Sequence, residues 1–239
     1  GEQLFGFNSF GWRFSSVVFG SLLVLMTIRL ARRLSRSTMV GAIAGILLTL
    51  DGLAFVMSRI GLLDIFQAFF LVAGVSAVAA NRDWFRHRLA DHLRTIGNPH
   101  LDADFGPALG WRPWRLVAGI MFGLACGTKW NSMFVLATMG IVSVIWDWSA
   151  RRLAGAGTKA WWSFLRDGVP AFVYLVVVAL LTYLATWAKW LVTYPHMVFG
   201  KSWAGPAPSP GLSKVVGKPL AALWEYHRQI YDFHTGSYM

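Results

Sequence analysis

The stretch "TMVGAIAGILLTLDGLAFVMSRIGLLDIFQAFFLVAGVSAVAA", residues 38–80, contains two long apolar segments separated by a charged turn. Each segment approaches the ~20 residues that a helix needs to cross the hydrocarbon core of a bilayer. Three charged residues lie around the turn: Asp51, Arg59 and Asp64. A charge at the bilayer centre costs roughly 3 kcal/mol or more. The stretch therefore predicts two membrane spans joined by a turn whose charges have a partner or a function.

The rest of the chain has the same character. Hydrophobic residues make up 56% of its 239 residues and charged residues only 14%, whereas a soluble domain has about 25% charged residues. Its thirteen tryptophans fit the enrichment of this residue at membrane interfaces. We predict an all-α polytopic bundle with about six spans. They lie at 15–31, 38–56, 60–80, 114–128, 131–148 and 169–191.

The basic residues orient these spans. Fourteen of the 22 Lys and Arg residues fall in the loops after the first, third and fifth spans or at the span ends beside them, and the positive-inside rule makes those loops cytoplasmic. Both ends of the chain then face outward. The net charge of +11 does not indicate nucleic-acid binding, because the basic residues cluster between apolar spans. In the cytoplasmic clusters we interpret them as topology determinants that contact lipid headgroups.

Two regions follow from this topology. Residues 1–194 are predicted to form the transmembrane bundle, as part of a longer catalytic domain. Residues 195–239 are predicted to form an outer-side loop in which "GPAPSPG" (205–211) is a linker and "KPLAALWEYHRQIYDFH" (218–234) a surface helix. The chain begins without Met, and we expect it to be an internal piece of a longer protein.

The charges predicted on the outward side are candidates for a binding site. Arg13, Arg59 and Lys129 lie in or beside different outward turns, which a bundle brings together. Arginine offers a planar fork to phosphate oxygens and lysine a point charge, so the three suit an anionic lipid phosphate. Asp51 and Asp64 are the candidates to hold Arg59 or the turn itself. The alternatives are a structural ion pair at the turn and side chains that reach up to the headgroups.

Further residues belong to the same predicted region. Trp12, Ser58 and Trp130 are neighbours in sequence of the three cations, and we assign them to the substrate region. His227 and His234 are seven residues apart, so a helix would place them near one face. We interpret them as substrate or headgroup contacts rather than metal ligands, because helical metal sites more often use a spacing of three or four. We predict no metal and no cofactor.

Four blocks of the sequence resemble the protein O-mannosyltransferase family, in its bacterial branch. They are "FGFNSFGWRFSSVVFG", "DGLAFVMSRIGLLD", "FGLACGTKWNSMF" and "YHRQIYDFHTGSYM", in that order along the chain. The resemblance covers essentially the whole chain. It implies the architecture of a class C glycosyltransferase, which takes its sugar from a lipid phosphate.

The resemblance also implies an activity. Such enzymes transfer mannose from polyprenyl-phosphate mannose to Ser or Thr hydroxyls of secreted proteins as these cross the membrane, on its outer face. It places the catalytic acidic pair in a loop before Gly1, so the catalytic residues within this chain are unknown. It further implies a multi-pass protein of the bacterial plasma membrane, with the protein translocation machinery as a partner.

Two other functions remain open at this point. One is another membrane glycosyltransferase that uses a polyprenyl-phosphate sugar. The other is a six-span transporter, which would carry ionisable residues along a path through the membrane and often shows inverted repeats. The unclustered charges gather on one side and no repeat is visible in the sequence, so we favour the enzyme.

Overall fold

The computed structural model describes residues 2–102, 106–193 and 208–236, and they are helical wherever they have regular structure. They fall into two compact units, Gly1–Tyr183 and Leu184–Met239. The first unit contains the short helix α1 and the membrane helices. The predicted regions 1–194 and 195–239 stay a prediction.

The first helices follow from their caps and apolar runs. After α1 (Glu2–Phe5), Asn8 caps α2 (Ser9–Ser35), since its carboxamide oxygen accepts a hydrogen bond from the amide of Gly11 at 2.8 Å. Ser37 caps α3 (Thr38–Leu50) in the same way, and Asp51 caps α4 (Gly52–Ile60). The axes of α3 and α4 meet at a bend of 62°. The predicted second span is therefore a bent pair of helices.

The rest of the first unit consists of α5 and the helices that follow it. These are α5 (Leu63–Ile96), α6 (Pro113–Thr128), α7 (Ser132–Leu153) and α8 (Ser163–Phe172), followed by a π-helical segment (Val173–Val177) and α9 (Val178–Thr186). The π-helical segment begins three residues after Pro170 in α8, where proline removes a backbone donor from the helix. A buried cluster of Ala77, Val78, Phe122 and Leu175 joins α5, α6 and this segment.

The structure confirms the prediction of an all-α membrane bundle but refines the number of spans. Among the described residues, four helical stretches are long and apolar enough to cross a bilayer, and the bent α3–α4 pair is a fifth if it forms one span. These four are Ser9–Ser35, Leu63–Ile96, Ser132–Leu153 and Gly157–Thr186. The predicted span at 114–128 corresponds to α6, which has only 16 residues. By length α6 falls short of the ~20 residues of a span.

Glycine controls how closely these helices approach. A Cβ atom at Gly74 of α5 would lie 2.7 Å from the ring of Phe122 in α6. One at Gly119 of α6 would collide with the backbone oxygen of Tyr174. Small residues at such crossings let helix backbones approach where lipid provides no hydrophobic driving force. The outward faces of the helices remain apolar, as with Leu47 and Leu181, and suit contact with lipid.

The second unit is small and helical. It comprises the end of α9 together with α10 (Ala188–Thr193), α11 (Pro210–Val216) and α12 (Lys218–Thr235). The helix α12 confirms the helix predicted at 218–234. Its side chains at Ala221, Ala222 and Leu223 are buried, and the ring of Tyr226 lies 5.6 Å from that of Trp187.

Candidate functional site

Ring contacts and ion pairs fix the directions of α2 and α6 relative to α5. Phe19 of α2 packs on Phe66 and Phe70, and Arg33 pairs with Asp83 further along. The helices α2 and α5 therefore run in parallel. In α6 the order is reversed, since Lys129 pairs with Asp64 and Arg112 lies over the ring of Phe85.

This arrangement gives the bundle two chemically different ends. We call the first the turn end: it comprises the start of α2 and the segments 58–67 and 128–132. We call the second the arginine end: it comprises residues 26–36, 80–90, 107–117 and 143–167. The predicted site residues of the first unit lie at or near the turn end, apart from Asp51, which lies at the junction of α3 and α4.

The turn between α4 and α5 is built on the first turns of α2. Gly61 ends α4 with φ 75°, a left-handed conformation that glycine adopts without strain. A Cβ atom at Gly61 would lie 3.9 Å from the backbone oxygen of Trp12 and 3.8 Å from Oγ of Ser16. Ser58 lies one turn before Gly61 in α4. A Cβ atom at Gly20 of α2 would lie 2.5 Å from the Cβ atom of Ser58. The segment carrying Arg59 is thus held against the helix carrying Arg13.

The two aspartates contact a helix end and a lysine. Oδ2 of Asp51 accepts a hydrogen bond from the amide of Ala54 at 2.8 Å, which caps α4. Asp64 forms an ion pair with Lys129, and both side chains are partly exposed. These contacts join Asp51 to the start of α4 and Asp64 to Lys129. The predicted role of the two aspartates, to hold Arg59 or the turn, stays a prediction.

A polar link beside this ion pair joins α5 to the start of α7. The carboxamide of Gln67 donates hydrogen bonds to Oδ1 of Asn131 at 2.7 Å and to Oγ of Ser132 at 2.8 Å. Oγ of Ser132 donates in turn to the backbone oxygen of Ala125 at 3.1 Å. Together with the pair of Asp64 and Lys129, these bonds fasten the α6–α7 turn to α5. Sequence reasoning missed Gln67, Asn131 and Ser132 because nothing in their spacing indicates the contact.

Arg13 and Arg59 lie on the surface of the first unit. Both side chains are exposed, and neither makes an ion pair within residues 2–102, 106–193 and 208–236. Arg13 and Trp12 line a shallow cleft of about 510 Å³ that also includes Ile60. Arg59 lies over the ring of Phe55 at 5.0 Å and lines a second cleft of about 300 Å³. These two groups are available to an anion.

The neighbouring side chains predicted for the substrate region are also at the turn end. Trp12 is 54% exposed and Trp130 is 41% exposed, so each offers an aromatic surface to lipid or ligand. The hydroxyl of Ser58 donates to the backbone oxygen of Phe55 at 2.7 Å, and its side chain lines the same cleft as Arg59. Their roles stay predictions.

The two histidines lie in the second unit. Nδ1 of His227 is 2.7 Å from the backbone oxygen of Leu223, and its ring packs against Tyr226 and Trp187. The side chain of His234 lies outside the described residues. Within the described part of the chain, no group of three or more His, Cys, Asp or Glu residues is placed to hold a metal ion.

A buried charge network at the arginine end was not predicted. Arg112, Arg115 and Arg151 have no exposed surface. The network consists of these ion pairs: Arg112 to Asp147 at 2.9 Å and to Asp167 at 2.9 Å, Arg115 to Asp147 at 2.6 Å, and Arg151 to Asp167 at 2.7 Å. Ser143 adds a hydroxyl that accepts from Arg115 at 2.7 Å. The ring of Phe85 lies 4.2 Å from the guanidinium of Arg112.

The network corrects one interpretation of the basic clusters. We expected Arg112, Arg115 and Arg151 to contact lipid headgroups, but they are buried and bonded to carboxylates. Buried charges persist only when they are paired, so these residues tie α6, α7 and α8 together. The signal was present in the sequence, since Asp147 lies within a predicted span and Asp167 follows a basic loop. A basic cluster that only sets topology needs no carboxylate, so the two aspartates indicated ion pairs.

Comparison with known proteins extends these observations. The sequence profile of the family described as dolichyl-phosphate-mannose-protein mannosyltransferase matches residues 1–197. A Mycobacterium tuberculosis protein named polyprenol-phosphate-mannose–protein mannosyltransferase is 38% identical over 238 residues. Proteins with the same name from Mycolicibacterium smegmatis and Corynebacterium glutamicum are 36% and 34% identical over 236 and 234 residues.

These alignments cover the chain and the relatives to different extents. They include 99%, 98% and 98% of this chain, but only 44%, 45% and 45% of the three relatives. The chain therefore spans less than half the length of the curated relatives it matches. No solved structure matches the chain.

Proposed function

Because the chain belongs to the dolichyl-phosphate-mannose-protein mannosyltransferase family, we propose that it forms part of a protein O-mannosyltransferase. The enzyme transfers mannose from polyprenyl-phosphate mannose to Ser or Thr hydroxyls of secreted proteins. The family match over residues 1–197 carries this proposal. The names of the mycobacterial and corynebacterial relatives support the polyprenyl donor.

The reaction makes a specific electrostatic demand. The acceptor oxygen attacks C1 of mannose, and the bond between C1 and the phosphate oxygen breaks with its electron pair going to the phosphate. The configuration at C1 inverts, and the acceptor proton passes to a general base, for which we assign no residue in this chain. Negative charge thus grows on the lipid phosphate, and fixed cations aimed at that phosphate stabilise the transition state.

The turn end supplies cations suited to that demand. Arg13 and Arg59 are exposed and can offer paired N–H donors to phosphate oxygens. Lys129 differs, because its ammonium is already paired with Asp64. We therefore assign Arg13 and Arg59 to the donor phosphate, and Lys129 and Asp64 to positioning the α6–α7 turn beside α5. Trp12 and Trp130 supply aromatic surface at the level where a lipid headgroup meets water.

The location and orientation of the protein are inferred from its membrane helices and its charge distribution. The described part of the chain contains four or five helices long and apolar enough to cross a bilayer, and the protein is an integral membrane protein. We propose that it lies in the bacterial plasma membrane with the turn end outward, where unfolded secreted chains emerge. The acceptors are then proteins leaving the translocation machinery, and the reaction requires no cofactor beyond the lipid-linked donor.

A transfer assay tests the activity. Full-length protein in proteoliposomes is supplied with radiolabelled polyprenyl-phosphate mannose and a Thr-containing peptide, with a Thr→Ala peptide as control. We expect label on the Thr peptide and none on the control. A parallel reaction uses polyprenyl-phosphate glucose. Absence of mannose transfer would refute the proposal, and transfer of glucose alone would indicate a different membrane glycosyltransferase.

A further inference from the structure

A large cleft opens at the arginine end, between α2, α5 and α6. Its volume is about 950 Å³, in the range of cavities that bind small molecules. Its charged and titratable lining residues are Arg29, Arg32, Arg33, Arg36, Asp83, Arg86 and His87. Five arginines thus face one carboxylate in a single cleft. The predicted donor site lies at the other end of α2 and α5, so this cleft has no role in the proposed transfer.

The carboxylate in the cleft is already occupied. Asp83 accepts from Arg33 at 3.2 Å and from Arg82, outside the cleft, at 2.9 Å. The other four arginines are exposed and make no ion pair in the part of the chain that the structure describes. Three of them lie on α2 or its C-terminal cap at positions 29, 32 and 36, a spacing that places them on one helix face. The cleft therefore has a clear excess of positive charge.

The remaining walls of the cleft are apolar apart from Ser76. Met26, Phe69, Ala73, Trp114 and Met121 line it together with the arginines. Ala73 belongs to the apolar part of α5, ten residues before Asp83 and thirteen before Arg86, which corresponds to roughly 15–20 Å along a helix. The cleft thus runs from a cationic mouth to an apolar interior. That gradient matches a molecule with an anionic head and a hydrocarbon tail.

We propose that this cleft binds an anionic membrane phospholipid. Its phosphate is held by Arg32 and Arg86, from α2 and α5, and its acyl chains lie along Phe69 and Met121. Basic pockets between membrane helices on the cytoplasmic side bind anionic headgroups in this way, and the charge count assigns the arginine end to that side. Bound lipid fills the gap between α2 and α6 and so acts as a structural ligand of the bundle.

Lipid titration with matched variants tests the site. Full-length protein in a neutral detergent is titrated with phosphatidylglycerol or phosphatidylcholine, and bound lipid is counted by native mass spectrometry. The test variant is Arg32→Gln with Arg86→Gln. The control is Arg88→Gln with Arg94→Gln, which removes the same charge from α5 outside the cleft. Soluble sn-glycerol 3-phosphate serves as a headgroup without acyl chains, and monodisperse elution checks that each variant is folded.

The expected result is saturable binding of phosphatidylglycerol that phosphatidylcholine does not reproduce. Each arginine near a charged headgroup contributes roughly a fivefold factor in affinity, so the test variant should bind about 25-fold more weakly and the control normally. Equal binding of both lipids would overturn the proposal and is expected if another protein segment fills the cleft. Equal losses in the two variants, or displacement of lipid by millimolar sn-glycerol 3-phosphate, would overturn it as well.

Discussion

Replacing Asp167 by asparagine tests the buried network at the arginine end. Its carboxylate accepts from Arg112 at 2.9 Å and from Arg151 at 2.7 and 3.0 Å, and all three side chains are at most 3% exposed. The change keeps the shape of the side chain but removes its charge and turns one acceptor into a donor facing a guanidinium. Arg151 then loses the carboxylate that it shares with Arg112.

The expected magnitude follows from burial. Removing one partner of a buried ion pair costs about 3–5 kcal/mol, because the other charge remains buried and uncompensated. Asparagine retains one oxygen that can accept, so we expect about 3 kcal/mol for Asp167→Asn. That corresponds to more than a hundredfold change in the unfolding equilibrium constant.

The assay is reversible unfolding in mixed micelles. Full-length protein is titrated with sodium dodecyl sulfate, helix content is followed by far-ultraviolet circular dichroism, and the free energy of unfolding is compared with wild type. The control is Asp91→Asn, whose pair with Arg94 is exposed at 61% and 81% and should contribute less than about 1 kcal/mol. Adding Arg151→Met to Asp167→Asn should cost less than the two single changes together, because the two residues form an ion pair and their contributions are not additive.

One result would refute this reasoning. If the free energy of unfolding of Asp167→Asn lies within about 1 kcal/mol of the wild-type value, the network does not hold α6, α7 and α8 together. This threshold is set by the exposed-pair control. The arginines would then be interpreted again as topology determinants, despite their burial.

Three further outcomes are expected in the same unfolding assay. Gly119→Ala should lose about 1–3 kcal/mol by overpacking against the Tyr174 backbone, whereas Gly140→Ala, which meets nothing within 4 Å, should be neutral or stabilising; equal losses would contradict the packing argument. Asp51→Ala should cost about 1 kcal/mol and Asp51→Ser much less, since serine also caps; a cost shared by both would indicate another role. A double-mutant cycle on Asp64→Asn and Lys129→Met should give a coupling of at most about 1 kcal/mol, because the pair is 35% and 40% exposed; a larger coupling would show a desolvated pair.

The helices and their ends were largely accessible from the sequence. Long apolar runs fix where helices can span a bilayer, and the caps at Asn8, Ser37 and Asp51 use residue types that favour this position. The bend between α3 and α4 was harder to predict. Asp51 lies between two apolar stretches that read as one run in the sequence. In the structure its side chain caps α4, so α3 ends at this position.

The partners of the charges were not accessible. Lys129 and Asp64 are 65 residues apart, and their pairing depends on how α6 lies against α5. That register is set by packing, as where Phe122 fits against Gly74. Counting positive charges assigns a loop to one side of the membrane, but it cannot tell an arginine at the headgroups from one buried beside a carboxylate. For this reason Arg112, Arg115 and Arg151 were misinterpreted.

The most direct test of the proposed function is the rate of mannose transfer by an Arg59 variant. Full-length wild type, Arg59→Ala and Arg88→Ala are compared in proteoliposomes at saturating polyprenyl-phosphate mannose. Arg88 is a matched control, since it too is exposed and lies over an aromatic ring, that of Trp84 at 5.4 Å. Removing one group that stabilises transition-state charge costs about 10²–10³ in kcat. We expect that loss for Arg59→Ala and a near-normal rate for Arg88→Ala; a wild-type rate for Arg59→Ala, or equal losses in both, would contradict the assignment of the turn end to the donor phosphate.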